Sequence, residues 1–207
     1  MNRVELKEKA KQQIKGKIGV LFVIALIIAV ISAVAGALLN LIPGGSIIAS
    51  IIITPAFSLS MVRVYLSLTK GENPKASDAF SGFDDFWSAF KVTFLVGLFT
   101  FLWSLLFVIP GIIKGISYSM SMFVLAENKG KAALECIEAS KKMTEGHKMD
   151  LFVLELSFIG WALLVAITFG LAAIWVVPYM QATFTNAYLS LKPQNEEVEA
   201  QAEPIAE

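Results

Sequence analysis

The chain has 207 residues, 56% of them hydrophobic and 16% charged, with a mean hydropathy of +0.68. A soluble domain carries about 25% charged residues, and the apolar residues here fall into runs too long for a soluble core. Seventeen basic and seventeen acidic residues cancel to a formal net charge of zero, which argues against a nucleic-acid partner, since that would need a basic surface to neutralise phosphates.

The neutral total hides a strong segregation. Six basic residues (Arg3, Lys7, Lys9, Lys11, Lys15, Lys17) occupy positions 1–17, whereas the last twelve positions hold five glutamates and no base. A single cysteine, Cys136, excludes an intrachain disulfide, and a single histidine, His147, excludes a usual zinc site. No metal and no cofactor are expected.

In chain order, residues 1–17 read as a basic amphipathic helix on the cytoplasmic side. Residues 18–42 contain no charge and suit the roughly 20 apolar residues that cross a bilayer. Although Ala33-Val34-Ala35 resembles a leader cleavage site, the run exceeds an h-region of about 7–15 residues, so it is read as a span. Pro43-Gly44-Gly45 turns the chain, and 46–68 returns.

Residues 75–90 place Ala76, Ala79, Phe80, Phe83, Phe86, Trp87 and Phe90 at helical spacing, with Asp78, Ser81, Asp84, Asp85 and Ser88 opposite. This predicts an aromatic amphipathic helix, either lying in the membrane interface or packed on the spans. Two further spans, 92–109 and 111–126, are separated at Pro110-Gly111, because one helix over the whole stretch would be about 50 Å long. A second, weaker amphipathic helix is expected over 131–145, stopped by Gly146, with Asp150 as N-cap of the next span. The last hairpin is 151–170 and 174–191, its turn bracketed by Gly170 and Pro178. The acidic stretch 192–207 reads as a disordered tail.

The fold class expected is therefore all-α: a polytopic helical membrane bundle of six spans in three hairpins. Five or four spans remain open if the short arms 111–126 and 174–191 are re-entrant. Sixteen of the seventeen basic residues lie in or near 1–17, 69–91, 127–150 and 192–207. Basic residues collect in cytoplasmic loops, so an even span count with both termini cytoplasmic is expected. A faint repeat supports the hairpin unit. Ser58, Ser60, Met61 and Gly71 align with Ser117, Ser119, Met120 and Gly130, each copy following a Pro (Pro55, Pro110), with Pro178 starting a third, truncated copy.

No P-loop, nucleophile elbow or HExxH motif is present, so no enzyme is expected. Polar groups at membrane depth are the remaining candidates. Arg63 and Glu155 lie about 7–9 Å inside spans two and five, and an inter-helix ion pair between them is expected. Separate snorkelling and a substrate or proton path are the alternatives. Lys114 snorkels outward or faces a cavity. Ser117, Tyr118 and Ser119, with Ser58, Ser60 and Thr183, permit close helix packing or line a polar path.

The run 102–114 (LWSLLFVIPGIIK), Ser117-Tyr118-Ser119-Met120, Ser140-Lys141-Lys142-Met143, Gly146-His147-Lys148, Ser157-Phe158-Ile159-Gly160-Trp161 and Pro178-Tyr179 together resemble a bacterial integral membrane family, domain of unknown function 975 (DUF975). The resemblance spans nearly the whole chain and implies a bacterial plasma-membrane protein, with no activity attached. His147 and Lys148 are candidate contacts to a lipid phosphate, or an interface anchor. Two functions are weighed: a non-enzymatic scaffold, accessory or lipid-interacting module with membrane lipids and a membrane or cytoplasmic protein as partners, and a small transporter or channel. The oligomeric state is left open.

Overall fold

The computed structural model describes residues 2–39 and 45–192, with backbone only over 45–50. The expected turn around 43–45 falls mostly outside these residues, as does the acidic tail from 193 onward. Every regular element described is helical: α1 Arg3–Ile14, α2 Ile18–Leu39, α3 Gly45–Thr69, α4 Phe86–Leu106, α5 Val108–Tyr118, α6 Ser121–Glu127, α7 Ala133–Thr144, α8 Lys148–Leu156, α9 Ile159–Ile167 and α10 Ala173–Leu191.

Asn2 caps α1 by accepting the Glu5 amide on its side-chain oxygen at 3.4 Å. The chain leaves α1 through Gly16 and leaves α7 through Gly146, both at φ 78. That left-handed conformation suits glycine, which has no Cβ to clash. Each glycine turns a polar helix directly into an apolar one.

Among the described residues five helical stretches are long and apolar enough to cross a membrane: Ile18–Leu39, Ile51–Thr69, Ala76–Leu106, Val108–Glu127 and Lys148–Ile167. They correspond to five of the six spans expected from sequence. The sixth, α10, has 19 residues, but Pro178, Gln181, Thr183, Thr185 and Asn186 dilute its apolar character. Those polar groups are accommodated because Pro178, Thr183, Thr185 and Asn186 are buried against protein. The helix still returns the chain to the end where α1 lies, since the Asn186 amide donates to Leu6 O at 3.3 Å.

Three expectations shift. Over 75–90 the structure has two short 3-10 turns, Ala76–Phe80 and Phe83–Asp85, and α4 begins at Phe86. Gly82 lies at the break between them, pressed so close to α3 that a Cβ there would sit 2.0 Å from Ala56 O. The second hairpin reverses at Phe107, whose backbone is extended (φ −157, ψ 145). Pro110 is instead the third residue of α5, in the first turn, where an amide has no intrahelical partner to lose. Asp150 is not the N-cap of α8; His147 holds that position.

A threefold plan organises the packing. In each hairpin the outgoing limb (α2, α4, α8–α9) exposes apolar side chains such as Leu26, Phe101 and Leu163. The returning limb (α3, α5–α6, α10) supplies the core. α3 packs on both α6 and α10, and Phe123 of α6 stacks on Tyr188 of α10 at 5.1 Å. A juxtamembrane segment covers each returning limb: the 3-10 turns lie on α3, α7 lies on α5–α6, and α1 lies on α10. The chain's first helix thus fills the slot that its last hairpin leaves open.

Candidate functional site: the charged end of the bundle

The juxtamembrane segments bring most of the charge to one end of the returning limbs. Arg63 projects from α3 and donates through Nη1 to Ser81 O and to Asp84 Oδ1, the latter at 2.6 Å. The other oxygen of Asp84 accepts Lys129 Nζ at 2.9 Å, and Asp85 accepts the Gly130 amide at 2.9 Å. These bonds tie the start of α4 to the ends of α3 and α6.

The expected Arg63–Glu155 pair is therefore replaced by Arg63–Asp84. The expectation assumes straight spans and compares depth alone. Helix α8 lies against α5 rather than α3, and the chain breaks at Ser157–Phe158. Glu155 is left exposed beside Leu156. Asp84 escapes a reading by periodicity because it falls on the solvent face of a helix that does not form.

Lys114 sits with Nζ 4.6 Å above the Trp103 ring, a cation–π contact between the two limbs of the second hairpin. Ser117 and Tyr118 are buried. Ser117 O accepts the Ser140 hydroxyl at 2.8 Å, and Ser140 Oγ in turn accepts the Met120 amide at 3.1 Å. The hydroxyl satisfies backbone groups freed where α5 breaks into α6, and so docks α7. Ser119 donates within its own turn, to Ile116 O. In the first hairpin Ser60 Oγ does the corresponding work by accepting the Gly82 amide at 2.8 Å. Of the serines in the sequence repeat, Ser60 through its hydroxyl and Ser117 through its backbone carbonyl are docking points for the covering segments.

His147 Nδ1 lies 3.3 Å from Asp150 Oδ2, and Lys148, half-buried, opens α8. His147 also lines an open cleft of about 580 Å³ between α6, α7 and α10, with Asn128, Lys131, Glu135, Glu138 and Lys142. The sequence singles out His147 but not these neighbours. Their signal is the spacing of Lys131, Glu135, Glu138 and Lys142, which recurs by three and four residues and marks one helix face. Glu138 and Lys142 pair at 3.6 Å. At the cleft's rim Glu127 accepts Tyr188 OH at 2.5 Å and pairs with Lys192 at 3.1 Å. Behind this face Cys136 is fully buried, and burial pushes its thiol up to about 11.

The arrangement joins carboxylates and cations of different hairpins into docking contacts. No curated protein and no solved structure matches the chain. Over residues 1–114 and 105–195 the chain matches the family described as Protein of unknown function (DUF975), and it belongs to that family.

Proposed function

We propose that the chain is a non-enzymatic multi-pass module of the bacterial plasma membrane, a scaffold or accessory protein that engages lipids, with both termini cytoplasmic. The observation that carries this reading is the filled interior of the three returning limbs. Leu59, Ser60, Tyr65, Met120, Thr183, Ala187 and Tyr188 are each at most 2% exposed where those limbs meet. A transporter of this size would place Arg63, Lys114 or Glu155 in a wet path. Arg63 is instead committed to Asp84 and Lys114 to Trp103.

The orientation rests on the shared end of the termini, where Leu6 meets Asn186, and on Lys17, Arg63, Lys129 and Lys192 gathering on the loops and helix ends there. The test is reconstitution of the full chain into liposomes beside purification in mild detergent. Lipid or protein retained at fixed stoichiometry, with solute flux no greater than in empty liposomes, supports the module. Saturable solute flux that Arg63→Ala abolishes overturns it in favour of a transporter.

A further inference from the structure

Helix α1 buries Leu6, Ala10 and Ile14 against the bundle. Arg3, Lys7 and Lys11 follow one another at steps of four, so they form one stripe along the helix, flanking that buried face. Beneath the stripe lie aromatic rings from the third hairpin. Lys7 Nζ is 4.6 Å above the Phe158 ring and Lys11 Nζ 5.7 Å above the Tyr179 ring. Phe158 meets Tyr179 edge-on at 5.5 Å, Tyr179 stacks on Trp175 at 4.9 Å, and Trp175 contacts Trp161 at 5.2 Å.

This aromatic group marks a boundary. On its far side α9 exposes Ile159, Leu163 and Ile167, again at steps of four, an apolar stripe suited to lipid chains. On its near side stand the three cations. Trp and Tyr favour the headgroup layer, so the pattern from apolar stripe through aromatic belt to cations follows the cross-section of one bilayer leaflet.

Among the described residues no carboxylate forms an ion pair with Arg3, Lys7 or Lys11, although Glu8 follows Lys7 on the same helix. The carboxylate that α1 does pair, Glu5, bonds Lys9 at 2.8 Å on the opposite side of the helix. Burial, followed by the repulsion of Lys11 and Arg3, holds the Lys7 ammonium below the usual lysine range. An ammonium over a ring also keeps donors free on the side away from it. An arriving anion would relieve the repulsion and meet those donors.

We propose that the Arg3–Lys7–Lys11 flank of α1, above Phe158, Trp161, Trp175 and Tyr179, is a binding site for the phosphate of an anionic phospholipid. This deepens the membrane-module reading and rests on it, with the acyl chains running along α9.

The test titrates the full-length protein in neutral detergent with short-chain phosphatidylglycerol, phosphatidylcholine or inorganic phosphate, reading tryptophan fluorescence and lipids bound by native mass spectrometry. Phosphatidylglycerol should bind saturably and at least about tenfold tighter than phosphatidylcholine. Lys7→Gln with Lys11→Gln should equalise the two lipids, while Lys9→Gln on the opposite side keeps the preference. The single exposed change Lys11→Gln, which leaves the docking residues untouched, should weaken phosphatidylglycerol a few-fold. Equal affinity for both lipids in the unaltered protein overturns the site, as does a preference that survives Lys11→Gln and the double change. Inorganic phosphate competing as well as phosphatidylglycerol overturns the lipid as ligand. Failure of the membrane reading itself has a separate signature: release of the protein from membranes by alkaline carbonate without detergent.

Discussion

Gln13 and Asn186 exchange two side-chain amide hydrogen bonds, Asn186 Nδ2 donating to Gln13 Oε1 at 2.9 Å and Gln13 Nε2 donating back at 3.1 Å. The pair is 173 positions apart in sequence, and it fixes α1 on α10 at the place where the ring of covering segments closes. Asn186 is buried and Gln13 half-buried, so removing Asn186 leaves the Gln13 amide partly unmet, which costs about 1 kcal/mol. Asn186→Leu should lower the melting temperature in detergent and speed tryptic cleavage within residues 7–17. Adding Gln13→Leu should recover most of the loss, because two apolar groups replace two amides. An unchanged cleavage rate in Asn186→Leu would show that the pair does not hold α1.

The Arg63–Asp84 contact makes a second prediction that separates it from the pairing expected from sequence. Its two side chains are 19% and 50% exposed, so solvent screens part of the attraction, and removal should cost about 0.5–1.5 kcal/mol. Arg63→Gln and Asp84→Asn should each destabilise by that amount, and the exchange Arg63→Asp with Asp84→Arg should restore part of it. Glu155→Gln should leave the melting temperature within error. A loss in Glu155→Gln equal to that in Arg63→Gln would make Glu155, rather than Asp84, the partner of Arg63.

The legible part of the fold comes from chain length and breakage. Apolar runs of bilayer length, interrupted at Gly and Pro, locate three hairpins without any knowledge of packing. The sixth span differs from the other five in a way that hydropathy alone misses, because a run of residues such as Ala173–Val177 looks the same whether lipid or protein will cover the residues beyond it. Only burial distinguishes Thr183 and Asn186 of α10 from groups facing lipid. The break near position 82 is missed for a related reason, since the close contact of Gly82 is with Ala56, on another element. Arg63 has the right depth and the wrong partner, because depth fixes one coordinate and the neighbour depends on which helices adjoin. The serine repeat is visible in the sequence, and its meaning emerges only from the docking of Gly82 and Ser140 on it.

Close approach of α4 and α5 makes a third prediction. A Cβ at Gly111 would lie 2.1 Å from Ser104 Oγ and 2.8 Å from Ser104 Cα. The hydroxyl can rotate away but the backbone cannot, so Gly111→Ala must push the limbs of the second hairpin apart. Overpacking of this kind costs about 1–3 kcal/mol. At Gly97, on the same α4, a Cβ would have nothing within 4 Å, so Gly97→Ala should be neutral or slightly stabilising, as expected for replacing a helical glycine. Thermal unfolding of both variants in one detergent checks the contrast; equal behaviour would mean that the α4–α5 contact is loose.

Cys136 gives the last prediction, one that depends on pH. Its side chain is fully buried on α7, and burial raises the thiol to about 11, against about 8.5 in an unfolded chain. Raising the folded value favours the protonated form, so this stability contribution is complete below about pH 8.5 and fades as pH climbs toward 11. The thiolate is the reactive species. Maleimide labelling at pH 7.5 should therefore be at least about a hundredfold slower in the folded protein than after unfolding in dodecyl sulfate, on grounds of both access and ionisation. Raising the pH to 9 should speed labelling of the unfolded chain far more than that of the folded one. The thiol is shielded by the docking of α7, so Ser140→Ala, which frees the α7 contact with Ser117 and Met120, should accelerate labelling without changing the unfolded rate. Rapid labelling of the unaltered folded protein at pH 7.5 would mean that α7 opens readily from α5 and α6.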